Sequence, residues 1–381
     1  VEETRAERTR ASKAIGEARR AGTPTGEAEA AARALGETLA TEEARLREIE
    51  ARRDDLLLAI PNLPEDGAPD GGEEDAVEIR AVGARPSFPF ATRDHVEVGA
   101  IVGGLDIERA GRTSGARFVY LMGPLVRLEL ALVHMAIDML EGEGFTPVVP
   151  PVLVREEAMW GTGFFPTDRQ AIYRTADDDL FLVGTSEVPL AALHAEEIID
   201  PDALPLRYVG FSTCFRREAG AAGKDTRGMF RVHQFDKVEM FAFVPPEESR
   251  EEHLRLLGHQ ERILQALDVP YRVVDIAVGD LGASAARKYD IEAWMPGQER
   301  FREVTSCSNC TDYQARRLKT RIRTDRGTEI VHTLNGTAVA VGRTIIAILE
   351  NHQREDGSVA VPRALHPYGA PEVIAPKPRR A

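Results

Sequence analysis

The sequence is poor in cysteine: three thiols, Cys214, Cys307 and Cys310, stand in 381 residues. So few exclude a disulfide framework. Cys307-Ser-Asn-Cys310 has CxxC spacing. Zinc would need two further ligands, and no second CxxC or HxxxH pair supplies them. Reduced cysteines near a packed turn are therefore expected. No apolar run approaches the ~20 residues of a membrane span. The charged start, Val1-Glu-Glu-Thr-Arg-Ala-Glu-Arg8, lacks the apolar stretch of a secretory signal. These absences point to a reducing, cytoplasmic setting with no membrane partner. No GxGxxG follows a strand-like run, and neither HExxH nor GxSxG occurs. In Gly220-Ala-Ala-Gly-Lys224-Asp225 the glycine spacing is too short for a P-loop, and Asp225 stands where Ser or Thr would hold magnesium. The net charge of −14 excludes wholesale coating of nucleic acid but permits a local basic face.

What is present begins with two helical patterns. Over residues 1–22, Val1, Thr4, Arg8, Ala11, Ile15 and Ala18 recur at steps of three and four. Gly22-Thr-Pro-Thr25 breaks the pattern. A second stripe, Ala28, Ala32, Leu35, Leu39, Glu42, Leu46, Ile49, Arg53, Leu56 and Ile60, predicts a helix ~50 Å long. A short turn between them predicts an antiparallel coiled-coil hairpin over residues 1–64. The first helix is the shorter, and Val1 in place of Met suggests a trimmed chain or an unusual start codon. Residues 65–75, rich in Gly, Pro and acid, read as a linker. Residues 76–368 then alternate irregularly. Strand patterns cover Phe118–Leu121, Phe145–Val154, Leu180–Val183, Arg207–Phe215, Val238–Val244 and Tyr271–Ile276. Helical ones cover Gly123–Gly142, Ser186–Ile199, Ser249–Leu267 and Val339–Gln353. Strands joined by loops too short for crossover helices predict an α+β fold on an antiparallel sheet. The Pro-rich tail, 369–381, reads as disordered.

Three segments carry the chemistry: Gly144-Phe-Thr-Pro-Val-Val-Pro-Pro151 after a long helix; Phe215-Arg-Arg-Glu218 with Arg231-Val-His-Gln-Phe235; and Asn335-Gly-Thr-Ala-Val-Ala-Val-Gly-Arg343. Taken in order, they resemble motifs 1, 2 and 3 of class II aminoacyl-tRNA synthetases. Thr185-Ser-Glu187, Phe235-Asp-Lys-Val-Glu-Met-Phe241, Glu303-Val-Thr-Ser-Cys-Ser-Asn-Cys310 and Thr333-Leu-Asn-Gly336 narrow the resemblance to bacterial-type seryl-tRNA synthetases. It extends from the hairpin to about Tyr368.

The resemblance implies an antiparallel sheet flanked by helices, a homodimer formed through motif 1, and a hairpin arm that binds tRNA(Ser). It implies ATP and Mg2+, L-serine as substrate, and tRNA(Sec) as a further acceptor. Arg216, Glu303 and Arg343 would be the catalytic set, with Arg216 bridging the serine carboxylate and the α-phosphate. Glu218, on the same strand face as Arg216 by alternation, would read the adenine amino group. Arg231 would hold the outer phosphates, and Arg217 would join the ATP contacts. Phe235 would stack on adenine with Arg343 opposite. Glu303 and Ser306 would take Mg2+, with Val304 and Thr305 beside the nucleotide. Thr185 and Glu187 would hold the serine amino group, Ser186 would join the serine contacts, and Glu239 and Thr337 would read its hydroxyl. Ala338 departs from the family's usual glycine and would crowd the nucleotide slightly. The rival readings are a ligase that loads a carrier protein, a paralogue serving antibiotic biosynthesis or resistance, and a non-catalytic synthetase-derived binding protein. The carrier-protein ligase would lack the long arm, and the binding protein would lose Arg216, Glu303 or Arg343.

Overall fold

The structure, a computed structural model, describes residues 1–219, 223, 225 and 227–378. Most of the Gly220–Asp225 stretch and the last three residues of the tail lie outside the described residues. The chain divides into two units, Val1–Ile60 and Pro61–Ala381.

The first unit is a hairpin of α1 (Glu2–Arg20) and α2 (Gly26–Ala59). Gly22, at φ +73°, turns the chain between them. The less exposed positions follow most of the stripe: Val1, Thr4, Ala11, Ile15 and Ala18 on α1, and Ala32, Leu35, the buried Leu39 and Glu42 on α2, whereas Arg8 and Ala28 are exposed. Glu42, a polar member of the seam, is used there: its carboxylate accepts from Thr4 Oγ1 at 2.7 Å. Arg5–Glu43 and Arg19–Glu29 pairs clasp the two helices. Beyond the reach of α1, the seam residues Leu46, Ile49 and Leu56 of α2 are exposed.

The second unit is built on an eight-stranded sheet. Its strands in chain order are β1 (Val77–Val82), β2 (Thr146–Val148), β3 (Leu206–Phe215), β4 (Gln234–Val244), β5 (Tyr271–Asp275), β6 (Arg287–Met295), β7 (Arg300–Thr311) and β8 (His332–Ala340). The spatial order is β1-β5-β6-β7-β8-β4-β3-β2. Every pairing is antiparallel except that of the edge strand β2 with β3, which is parallel. Helices α3 (Pro124–Glu141), α5 (Ser249–Ala266) and α6 (Val341–Asn351) bury their apolar residues in the main core with the sheet. Strand β4 shows the partition by its period of two. Val238, Met240, Ala242 and Val244 enter that core, while Phe241 and Phe243 enter a second one with Leu190 of α4 (Glu187–Ala192).

Three expectations are corrected. The strand expected over 145–154 is cut by Pro150-Pro151, which have no N–H to donate. Thr146–Val148 joins the main sheet and Leu153–Arg155 pairs with Leu180–Leu182. The helix expected over 186–199 stops after one and a half turns, and Ile198–Ile199 pairs in parallel with Arg321–Ile322. The tail is ordered through its described part: Val373–Ile374 pairs with Val359–Ala360, and Ile374 is buried. Burial of the Ile374 side chain and the pairing of its strand outweigh the prolines around them. The boundary segments are also tied down. Asn62 Nδ2 donates to the carbonyls of Ser284 and Cys310 at 2.9 Å, and within the expected linker the Pro69 carbonyl accepts from Val278 N.

Candidate active site

The open face of the sheet holds a cleft of about 1020 Å³, counting its mouth to solvent. That is large enough for an adenylate. Alternation supplies one wall: Phe235, Lys237 and Glu239 of β4 point into the cleft, as do Asn335 and Thr337 of β8. Glu239 and Thr337 are directly opposite in the ladder, and Thr337 Oγ1 donates to Glu239 Oε2 at 3.2 Å.

At the polar end, the first turn of α4 brings Glu187 in. Its carboxylate is buried and accepts from Gln314 Nε2 at 2.8 Å and Asn335 Nδ2 at 3.0 Å. Burial and the charge of Glu239 push Glu187 up to about 7, against the pull of Lys237 and the Gln314 hydrogen bond. Lys237 Nζ sits 2.5 Å from Glu239 Oε2. Thr185 Oγ1 accepts from Glu187 N. This end is small, acidic and full of hydroxyl partners, which suits a compact amino acid carrying a cationic amine and a hydroxyl. Lys237 and Asn335 were absent from the sequence-derived set. Lys237 could have been found from strand period alone, two residues from both Phe235 and Glu239.

At the other end lie the cations. Arg216 follows β3; its guanidinium donates to the Gly184 carbonyl at 3.2 Å and lies 5.3 Å over the Phe235 ring. Glu218 also reaches the cleft, but not by strand alternation. β3 ends at Phe215, and a left-handed residue at Glu218 (φ +52°) re-aims the chain. Glu218 accepts from Arg231 Nη1 at 2.9 Å. Arg343, in the first turn of α6, stacks 4.7 Å over Phe230 and pairs with Glu303 at 3.0 Å. Arg343 holds the Glu303 carboxyl below the usual range despite its surroundings.

Glu303 and Ser306 are three apart, so regular alternation would put them on opposite faces. A β-bulge prevents this. Thr305 pairs with Ile291 but Glu303 pairs with Glu292, leaving one extra residue on β7. Both oxygen donors therefore line the cleft. Thr305 also lines the cleft, but its hydroxyl is engaged within the protein. Its hydroxyl donates to the Thr337 carbonyl and accepts from Gln260 Nε2 at 2.7 Å. Asp290, opposite Ser306 in the ladder, is raised well above the usual carboxylate range by burial and by the Glu303 charge.

The cleft thus gathers Thr185, Glu187, Arg216, Glu218, Arg231, Phe235, Glu239, Glu303, Val304, Thr305, Ser306, Thr337 and Arg343. Two expected members lie elsewhere. Ser186 is fully buried behind the pocket against the Gly210 backbone, and Arg217 is exposed at the rim, its N–H given to the Ala171 carbonyl. Ala338 packs in the main core, so its methyl does not crowd the cleft.

The residues fit a magnesium ion. Mg2+ prefers a few oxygen ligands and keeps several waters, and the bulge presents one carboxylate and one hydroxyl on the same face. Among the described residues no cluster of three or more His, Cys, Asp and Glu suggests a caged metal.

Comparison with known proteins places the chain in a family. Residues 1–64 match the seryl-tRNA synthetase N-terminal domain, and residues 171–352 match the tRNA synthetase class II core domain (G, H, P, S and T). The serine–tRNA ligase of Acidothermus cellulolyticus is 56% identical over 346 residues, covering 89% of this chain and 82% of the relative. That of Streptomyces coelicolor is 51% identical, covering 98% and 89%. The crystal structure of seryl-tRNA synthetase from Pyrococcus horikoshii, complexed with ATP, superposes with a TM-score of 0.94 at 44% identity, covering 99% of this chain and 90% of that one. With identity at this level over nearly its whole length, the chain belongs to the seryl-tRNA synthetase family of class II aminoacyl-tRNA ligases.

Proposed function

We propose that this protein activates L-serine with ATP to seryl-adenylate and passes the seryl group to the 3′ end of tRNA(Ser). The observation that carries the reading is one cleft with an acidic, hydroxyl-reading end and a cationic end, joined by Arg216. Glu187 meets the serine ammonium, and Glu239 with Thr337 meets its hydroxyl. A site built to hydrogen-bond a hydroxyl discriminates strongly against an analogue lacking one.

Arg216 draws the serine carboxylate toward the α-phosphate, where two anions must approach. The carboxylate oxygen attacks phosphorus and pyrophosphate leaves. No general base is needed, because the nucleophile is already ionised. Phe235 stacks on one face of adenine with Arg343 on the other, and Arg231 holds the outer phosphates. Arg343 leaves Glu303 for the nucleotide, which frees that carboxylate. Glu303 and Ser306 would hold Mg2+, which supplies charge neutralisation at the phosphates. In the second step the terminal ribose hydroxyl of tRNA attacks the adenylate carbonyl, the hydroxyl proton is lost, the carbonyl–phosphate anhydride bond breaks and AMP leaves.

The hairpin of residues 1–60 is the proposed tRNA arm, with Arg8, Arg10 and Lys13 on its exposed side. The match of that arm favours tRNA over a carrier protein as acceptor. A homodimer through motif 1 is supported by exposed Val126 and Leu130 on α3 and Val149 of motif 1. No helix among the described residues is long and apolar enough to cross a membrane. The three free thiols suit a reducing compartment, so the cytoplasm is the proposed setting.

Serine-dependent exchange of pyrophosphate into ATP tests the first step, with threonine, alanine and cysteine alongside, and transfer to total tRNA tests the second. Exchange with serine alone, followed by charging, is expected. Folded protein that shows no exchange with serine overturns the reading.

A further inference from the structure

We infer that His95, which lies outside all three motifs, is a positioning residue for the ATP end of the cleft. The inference rests on the ligase reading above. His95 opens a short helix, His95–Ile101, and its side chain is buried. Its Nε2 accepts from Met229 N at 3.2 Å. That acceptor role leaves the ring proton on Nδ1, which faces Glu350 Oε1 at 3.1 Å. The same carboxylate accepts from His95 N at 3.1 Å and, through Oε2, from Gly297 N at 2.9 Å.

The two ends of this bridge matter. Glu350 is carried by α6, two turns after Arg343. Met229 and Phe230 line the cleft, and Phe230 is the ring under Arg343. Arg343 Nε also donates to the Phe230 carbonyl at 3.4 Å. The circuit α6–Glu350–His95–Met229–Phe230–Arg343 is therefore closed. It fixes the end of the motif 2 loop against the helix that supplies Arg343, the arginine proposed over adenine. Gly228, at φ +87°, has no side chain because a Cβ there would fall 2.1 Å from His95 Nε2. Asp94, beside His95, adds a second tie by pairing with Arg227 at 2.7 Å. A histidine used only for packing would not need both ring nitrogens engaged and a glycine opposite.

His95 touches no substrate in this scheme. It acts through Phe230 and Arg343, so its loss should weaken ATP and leave serine alone. In H95N the amide nitrogen still reaches Glu350 but nothing accepts from Met229; in H95Q the longer side chain presents an oxygen to Met229. With wild-type protein exchanging pyrophosphate as control, H95N should raise the KM for ATP about tenfold, the worth of one lost hydrogen bond at a buried N–H. The KM for serine should stay within twofold, and H95Q should recover most of the loss. If H95N does not fold, Gly228→Ala, which crowds Nε2, should give the same split. Equal KM values for ATP in H95N, H95Q and wild type would overturn the inference, as would parallel changes for ATP and serine. A wild-type chain without serine-dependent exchange would instead overturn the ligase reading.

Discussion

Glu187 has a carboxyl that the folded chain prefers to keep protonated until about pH 7, while the unfolded chain ionises near 4.5. Its contribution to stability is complete below the unfolded value and is lost as pH rises through the folded one. The window is therefore about 4.5 to 7, and the shift is worth on the order of 3 kcal/mol. Lys237 and Arg216 pull the other way, and Glu239 adds to the rise. Serine's ammonium would supply the missing positive charge. Serine binding near neutral pH should then release a proton from Glu187, and serine affinity should climb toward a plateau above about pH 7. Calorimetry in two buffers of different ionisation heat measures that proton directly. Glu187→Gln should remove both the proton release and the pH-dependent loss of stability, and weaken serine by about tenfold or more. Proton uptake, or a flat serine affinity between pH 6 and 8 in the unaltered protein, would contradict this account.

At the scale of elements, the bulge in β7 decides whether Glu303 and Ser306 can work together, and Gln260 holds it in place. From α5, Gln260 Nε2 reaches Thr305 Oγ1, the Ser306 carbonyl at 2.8 Å and the Thr337 carbonyl at 2.9 Å. Gln260→Leu keeps the volume but leaves those buried acceptors short of a donor, at a cost of ~2 kcal/mol. The urea midpoint should fall, and the Mg2+ concentration needed for half-maximal exchange should rise. A variant as stable as the parent, with unchanged Mg2+ dependence, would show that the bulge needs no such tie. The bulge also explains what the sequence concealed. A strand with an extra residue loses its period of two, so Arg300–Thr311 was legible as a motif but not as a strand. The segment Ala338–Val341 is apolar throughout and does not mark where β8 ends and α6 begins, although α6 itself was read to within two residues. By contrast, α1, α2, α3 and α5 have clear stripes and were read to within a few residues. The cleft residues were legible because the motif resemblance names them. Lys237 was legible from alternation alone. His95 carried no local signal: its partners lie 134 and 255 residues away.

For the whole molecule, the division at Ile60 separates two physical problems. Adenylation needs a fixed arrangement of charges, and every residue lining the cleft belongs to the second unit. Holding a long RNA needs reach and a sequence-independent grip on phosphates, which a charged hairpin would supply through counterion release. Within that hairpin some charge is already committed, since Arg5 and Arg19 pair with Glu43 and Glu29. A chain beginning at Pro61 keeps the main core and the cleft intact. It should exchange pyrophosphate with serine at close to the full rate, yet charge tRNA(Ser) about a hundredfold less well. The full chain should show the matching asymmetry with salt: charging falls steeply as salt rises, while exchange changes little. Reversing Arg8, Arg10 and Lys13 to Glu should reproduce the charging defect of the shortened chain and flatten the salt dependence. If the shortened chain charges tRNA normally, the acceptor is gripped elsewhere and the arm serves another purpose. If it loses exchange as well, the hairpin supports the catalytic unit, and the separation of tasks between the two units fails.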